Sequence, residues 1–121
     1  MLRPSVRREI LTTTRRKRNP MTARIWKGVA KKEDTKRYLA YLKATGLKDY
    51  AATRGNLGTY VLTRQGGGNT EFLLLSIWRS MDDIKGFAGE DVEKAVYYPE
   101  DEEYLLDMAL TVDHYEIAIA P

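Results

Sequence analysis

The 121-residue chain contains no cysteine, one histidine, four prolines and two phenylalanines. Without thiols there is neither a disulfide scaffold nor a thiolate zinc site, and a lone imidazole excludes a two-histidine iron centre. Long apolar runs are also missing. The richest stretch, Phe72-Leu73-Leu74-Leu75, is far short of the ~20 residues a membrane span needs, so no membrane partner is expected. No Gly-x-Gly-x-x-Gly follows a candidate strand, and one histidine with no cysteine leaves no Ser-His-Asp or Cys-His set to propose. Glu100-Asp101-Glu102-Glu103 lacks the glycine bend of a calcium loop and reads as a solvated helix start favoured by the helix dipole. No metal and no cofactor is therefore expected.

What is present is an ordinary globular balance, 43% hydrophobic and 31% charged, at a length that suits one domain. The net charge of +3 is unevenly placed. Residues 1–20 hold seven basic residues (Arg3, Arg7, Arg8, Arg15, Arg16, Lys17, Arg18) against Glu9, a net +6, which leaves −3 for residues 21–121. Residues 1–20 read as a basic, disordered extension, or as sequence upstream of a working start at Met21. A basic arm can hold phosphates, but this one has no interleaved aromatics, so nucleic acid is not the expected partner. It has no apolar core of a secretory signal, and its Arg-rich, acid-poor composition is only loosely like a transit peptide. A cytoplasmic location is expected.

Residues 21–121 read as one domain. Ala23 to Val29 alternates, with Ala23, Ile25, Lys27 and Val29 on one face and Arg24, Trp26 and Gly28 on the other, which predicts a strand. Lys31 to Thr45 carries Tyr38, Leu39 and Leu42 at helical spacing, with Asp34 as N-cap and Gly46 as stop. After the turn residues Arg54-Gly55-Asn56, Gly58 to Gln65 and Thr70 to Arg79 form a hairpin across Gly66-Gly67-Gly68-Asn69. The near-continuous apolar run from Glu71 to Ile77 suggests a strand covered on both faces. Ser80 or Asp82 then caps a helix whose face holds Met81, Ile84, Phe87 and Ala88. Glu90 to Val96 reads as a second short helix and Pro99 as the start of a third, running through Glu103, Leu105 and Leu106. Ala109 to Ala120 alternates again, with His114 and Glu116 on one face and Tyr115, Ile117 and Ile119 on the other.

The order β-α-β-β-α-β predicts an α+β, ferredoxin-like, four-stranded antiparallel sheet in the order 4-1-3-2 with both helices on one face. So short a chain leaves the other face uncovered, and a second copy of the chain is the cheapest cover. A homodimer is expected.

Several stretches resemble the antibiotic biosynthesis monooxygenase-like branch of the dimeric α/β barrel superfamily. They are Leu75-Ser76-Ile77-Trp78-Arg79-Ser80 with Ile84, Phe87-Ala88-Gly89-Glu90-Asp91, Ala95 with Tyr97-Tyr98-Pro99-Glu100-Asp101, and Val112-Asp113-His114-Tyr115-Glu116. Ala23-Arg24-Ile25-Trp26 and Thr53-Arg54-Gly55-Asn56 fit the same pattern, and the resemblance spans about residues 22–120. It implies a dimeric α/β barrel with a ligand cavity between sheet and helices. It also implies cofactor-free oxidation, in which an ionised aromatic or enolisable substrate itself passes an electron to dioxygen. The haem-degrading relatives follow the tryptophan at the end of the third strand with a second tryptophan and then a histidine. Phe87 and Tyr97 stand at those places here, so haem breakdown is not expected.

Pairing the first and last strands would bring Arg24 and Trp26 to one face with His114 and Glu116. His114 is then the candidate catalytic base, since an ordinary imidazole accepts a phenolic or enolic proton near neutrality. Arg24, Trp26, Tyr97, Tyr98 and Glu116 are the candidate substrate-binding residues, with Arg24 or Glu116 orienting the base or holding the anion. The same residues would equally make a cross-strand polar ladder, and Tyr97-Tyr98-Pro99 would pack as a rim rather than as a cavity lid. Trp78, Tyr38 and Tyr41 read as packing residues. The leading function is a cofactor-independent monooxygenase acting on a small aromatic or enolisable compound. The alternative is a non-catalytic homodimeric small-molecule-binding protein using the same cavity.

Overall fold

A computed structural model describes residues 21–121, and the readings made for residues 1–20 lie outside the described residues. Strand β1 (Thr22–Lys31) leads through a 3-10 turn (Lys32–Asp34) into helices α1 (Thr35–Ala44) and α2 (Gly46–Ala52). The hairpin β2 (Asn56–Gly66) and β3 (Asn69–Trp78) follows, then α3 (Met81–Ala88). A short α4 (Asp101–Tyr104) precedes β4 (Leu105–Asp107) and β5 (Asp113–Glu116). The sheet is antiparallel in the order β2-β3-β1-β4, with β5 also paired to β1. This is the ferredoxin-like α+β fold, with its last strand broken into two pieces that share β1 as their partner.

Local chemistry explains most of these elements. Gly67 (φ 59°) and Gly68 (φ 81°) supply the two consecutive left-handed residues of a two-residue hairpin turn, which sets the long β2–β3 register. Ser80 caps α3, its hydroxyl accepting from the Asp83 N–H at 3.2 Å. The residues of β1 and β3 alternate in burial except at Ala23: Trp26, Phe72, Leu74 and Trp78 are buried on the helix side against Tyr38, Leu42, Tyr50 and Ile84. Each such side chain contributes on the order of 1.5–3 kcal/mol through burial.

Several expectations are corrected. Gly46 does not stop a helix but opens a second one. Thr45 ends α1 by folding its hydroxyl back onto the Tyr41 carbonyl at 2.7 Å, and the bare Gly46 lets the Tyr98 ring approach a would-be Cβ at 3.6 Å. Asp34 occupies the N-cap position without a side-chain capping bond and pairs with Arg37 instead. The stretch from Glu90 to Val96 is not helical. Its peptide groups are claimed elsewhere, Ala95 N–H by the Leu110 carbonyl at 2.9 Å and the Glu93 carbonyl by the Val112 N–H at 2.9 Å. The third helix is one turn long, because Leu105 leaves it to pair with Ala30. The final strand is confined to Asp113–Glu116.

Among the described residues, no helix covers the other face of the sheet. Ile25, Leu73, Leu75 and Ile77 are half-buried there, while Tyr60 and Tyr115 are 61% and 59% exposed. The strand β3 expected to be covered on both faces is thus covered on one by this chain's own helices.

Trp26 depends on Gly28. The indole lies along β1 so that a Cβ added at Gly28 would stand 2.3 Å from it. Gly28→Ala is expected to displace the ring and cost about 1–3 kcal/mol in urea unfolding, with a shifted tryptophan emission maximum. Unchanged stability and emission would show that the indole does not need this space.

Candidate functional site

The site begins with strand phase. Arg24 lies directly opposite His114 in the β1–β5 pairing, and Thr22 opposite Glu116. Side chains of period two therefore put Arg24, Trp26, His114 and Glu116 on the helix-facing side, as the alternation predicted.

Arg24 is 1% exposed and forms the polar centre of the fold. Its Nη1 donates to the Val92 carbonyl at 2.5 Å and to His114 Nε2 at 3.0 Å, and Nη2 donates to the Lys94 carbonyl at 3.1 Å. The guanidinium lies 5.7 Å from the Phe87 ring centroid. Its Nε is buried with no hydrogen-bond partner among the described residues. Burial lowers the guanidinium pKa, opposed by the Tyr50 phenol beside it, yet an arginine remains charged at any ordinary pH. Among the described residues no carboxylate forms an ion pair with it.

His114 is half-buried. Arginine has no acceptor, so Nε2 must be the lone-pair nitrogen and the neutral ring carries its proton on Nδ1. Burial and the Arg24 charge hold the imidazole below its ordinary pKa, against the weaker opposite pull of Glu93 and Asp113. Glu116 shares this strand face but stands out in solvent.

A separate cavity lies between sheet and helices, walled by Trp26, Tyr50, Leu74, Phe87, Tyr98 and the buried Asp101. Its free volume is about 20 Å³, room for a single water. Of Tyr97-Tyr98-Pro99, Tyr98 lines it. Tyr98 donates from its hydroxyl to Asp49 at 2.5 Å and from its backbone N–H to Asp101 Oδ2 at 2.6 Å. Tyr38 donates to Asp101 Oδ1 at 2.9 Å, and the Tyr41 hydroxyl accepts from the Glu100 N–H at 2.8 Å. Tyr97 donates to the Ala109 carbonyl at 2.6 Å and accepts from Trp26 Nε1 at 3.4 Å. Burial raises the pKa of Tyr97, Tyr98 and Tyr38, so all three stay neutral donors near pH 7.

Of the candidate residues, Trp26 and Tyr98 line this cavity, with Tyr97 behind Trp26. Arg24 and His114 sit together on the far side of Phe87 and Tyr50, and do not line it. Trp78 is core, fully buried with its Nε1 donating to Ser76 Oγ at 2.9 Å. Tyr50, Phe87 and Asp101 were not singled out as site residues. Phe87 stood on the apolar face of its helix, which points inward without saying toward what. Asp101 is hidden among three neighbouring carboxylates, and nothing in the local sequence distinguishes it.

No protein-family model matches the chain, and no curated protein matches it. Among solved structures, a Bacillus cereus protein assigned provisionally as an antibiotic biosynthesis monooxygenase shares the fold. The TM-score is 0.57 at 15% identity, over 85% of this chain and 98% of that one.

The single histidine of the sequence makes its titration easy to read. A lowered folded pKa means that the unfolded chain binds the proton first as pH falls. Stability should therefore be full above about pH 6.5 and decline as pH drops from there toward the folded pKa. The Cε1–H resonance of this one imidazole is expected to titrate below 6.5 in the folded protein, and His114→Gln to remove this part of the pH dependence. A midpoint above 6.5 would reverse the sign.

Proposed function

We propose that this chain binds a small aromatic or enolisable compound in the cavity between its sheet and helices, and oxidises it as a cofactor-independent monooxygenase. The observation that carries the binding half is the aromatic wall of Trp26, Tyr50, Phe87 and Tyr98 around one buried carboxylate, Asp101. Flat apolar surfaces with a few fixed polar groups are what such ligands require. The oxidising half is supported by the fold likeness to the Bacillus cereus protein and by the neutral His114 held beside Arg24, a proton acceptor next to a fixed cation. For His114 to take a proton at Nε2, the Arg24 N–H must leave it and turn to the anion that forms. Trp26, Tyr97 and Tyr98 would position the substrate, and Glu116 would act at the outer end of the same face.

A non-catalytic binding protein is the second reading, favoured by the placement of His114 behind the cavity wall rather than in it. Oxygen uptake with a panel of hydroquinones and anthrones separates the two. The oxygenase reading expects uptake that falls by ~100-fold or more in His114→Ala, in the range of a lost general base. Equal rates in both proteins would remove His114 from the chemistry. Binding without uptake would leave the binding protein.

The helix-free sheet face supports a homodimer, with Tyr60, Leu62 and Tyr115 (61%, 47% and 59% exposed) at its contact. Placing a charge there, as in Leu62→Glu, is expected to give a folded monomer by sedimentation. A parent chain that already sediments as a monomer would end this part of the proposal. A cytoplasmic setting, with residues 1–20 as an appended basic segment, completes the reading.

A further inference from the structure

Arg24 presents an electrostatic problem that the fold leaves open. A charged guanidinium taken out of water costs several kcal/mol and is normally repaid by a carboxylate. Here its partners are two peptide carbonyls and a neutral imidazole, and its Nε–H donates to no atom among the described residues. The positive charge therefore has no counter-ion among the described residues. It faces the cavity side through two rings: its guanidinium lies over Phe87, and Phe87 stacks on Tyr50 at 4.3 Å. Tyr50 is 5% exposed, interacts with the guanidinium, and forms part of the cavity wall.

We propose that Tyr50 is a ligand-binding residue, and that with Arg24 behind it the cavity selects an anionic ligand, a carboxylate, phenolate or enolate oxygen on a small ring. This rests on the cavity reading above and adds a residue and a charge to it. The Tyr50 O–H can donate to a ligand, and that donation strengthens when the acceptor is charged. The ligand's negative charge then supplies the counter-ion that the fold does not. Asp101 does not serve this purpose, since its two oxygens accept from the Tyr38 hydroxyl and the Tyr98 N–H. The arrangement also sets a direction within the cavity, with the anionic oxygen toward Tyr50 and the ring toward Trp26 and Leu74.

The test uses benzoate and its neutral isostere benzamide on the full chain near neutral pH. Binding is followed by the fluorescence of the two tryptophans, Trp26 in the cavity wall and Trp78 with its ring centroid 6.1 Å from that of Tyr50. Benzoate is expected to bind ~10-fold or more tightly than benzamide, as a charge-assisted hydrogen bond implies. Tyr50→Phe should bring the two affinities together while cooperative unfolding is retained. A purely structural Tyr50 would leave the ratio unmoved, and that result overturns the proposal. Equal affinities in the parent chain, or benzamide binding alone, would sink the charge selection and leave the cavity standing. If neither compound binds, the cavity reading fails and this inference fails with it.

Discussion

One buried cation holds three parts of this molecule together. Arg24 sits on the central strand β1, meets His114 on β5 and takes the carbonyls of Val92 and Lys94 from the segment between α3 and α4. Removing it would take the donor from two part-buried hydrogen-bonded carbonyls and an imidazole nitrogen, a loss of up to about 1–3 kcal/mol for any of them that water cannot reach. The same segment exchanges backbone hydrogen bonds with Leu110 and Val112, which draws it toward β5 rather than into a helix. Because β5 and this segment converge on a single guanidinium, their energies are coupled rather than additive.

The sequence makes the fold legible wherever periodicity and turn chemistry agree. The alternation in β1, the glycine pair between β2 and β3 and the serine before α3 each act locally, and each element stands where those residues place it. The facing of Arg24 and His114 was legible up to register, since a strand's period of two fixes the side only once the antiparallel register is set, and the pairing of Arg24 with His114 sets it. Residues 90–107 were not legible. Carboxylates at helix-favouring positions argued for helices there, and a non-local bond from Arg24, 68 residues before Val92, overrode that weak preference. Tyr50 was invisible for a related reason. Nothing near it in sequence reveals that Arg24 and Phe87 will arrive beside it.

The two sheet faces divide the chemistry. The helix side collects both tryptophans, both phenylalanines and the buried polar residues Arg24, Ser76 and Asp101. The opposite side carries Ile25, Leu73, Leu75 and Ile77, with the exposed Lys27 directly across from Leu73, and is edged by Tyr60 and Tyr115. The buried polar groups are therefore gathered on the helix side, where low dielectric strengthens every charge interaction.

Cavity size then decides how a ligand can enter. About 20 Å³ admits a water but not an aromatic ring, so binding requires part of the wall to move. Trp26 is fixed by Gly28, Tyr97 and the strand beneath it, and Leu74 by the sheet. Tyr98 is held by side-chain and backbone hydrogen bonds to Asp49 and Asp101 on an otherwise irregular segment. Phe87 is held by ring contacts alone, near the end of the eight-residue α3, and also borders an open groove of about 560 Å³ against α2. Ring contacts are worth about 0.5–1.5 kcal/mol each and have no strict geometry, whereas the Tyr98 bonds are directional and one is to a buried carboxylate. Phe87 is thus the wall that yields at least cost. Its movement would join groove to cavity and uncover the guanidinium beside it, so under the proposed reading the route that admits a ligand would also expose the charge that holds it.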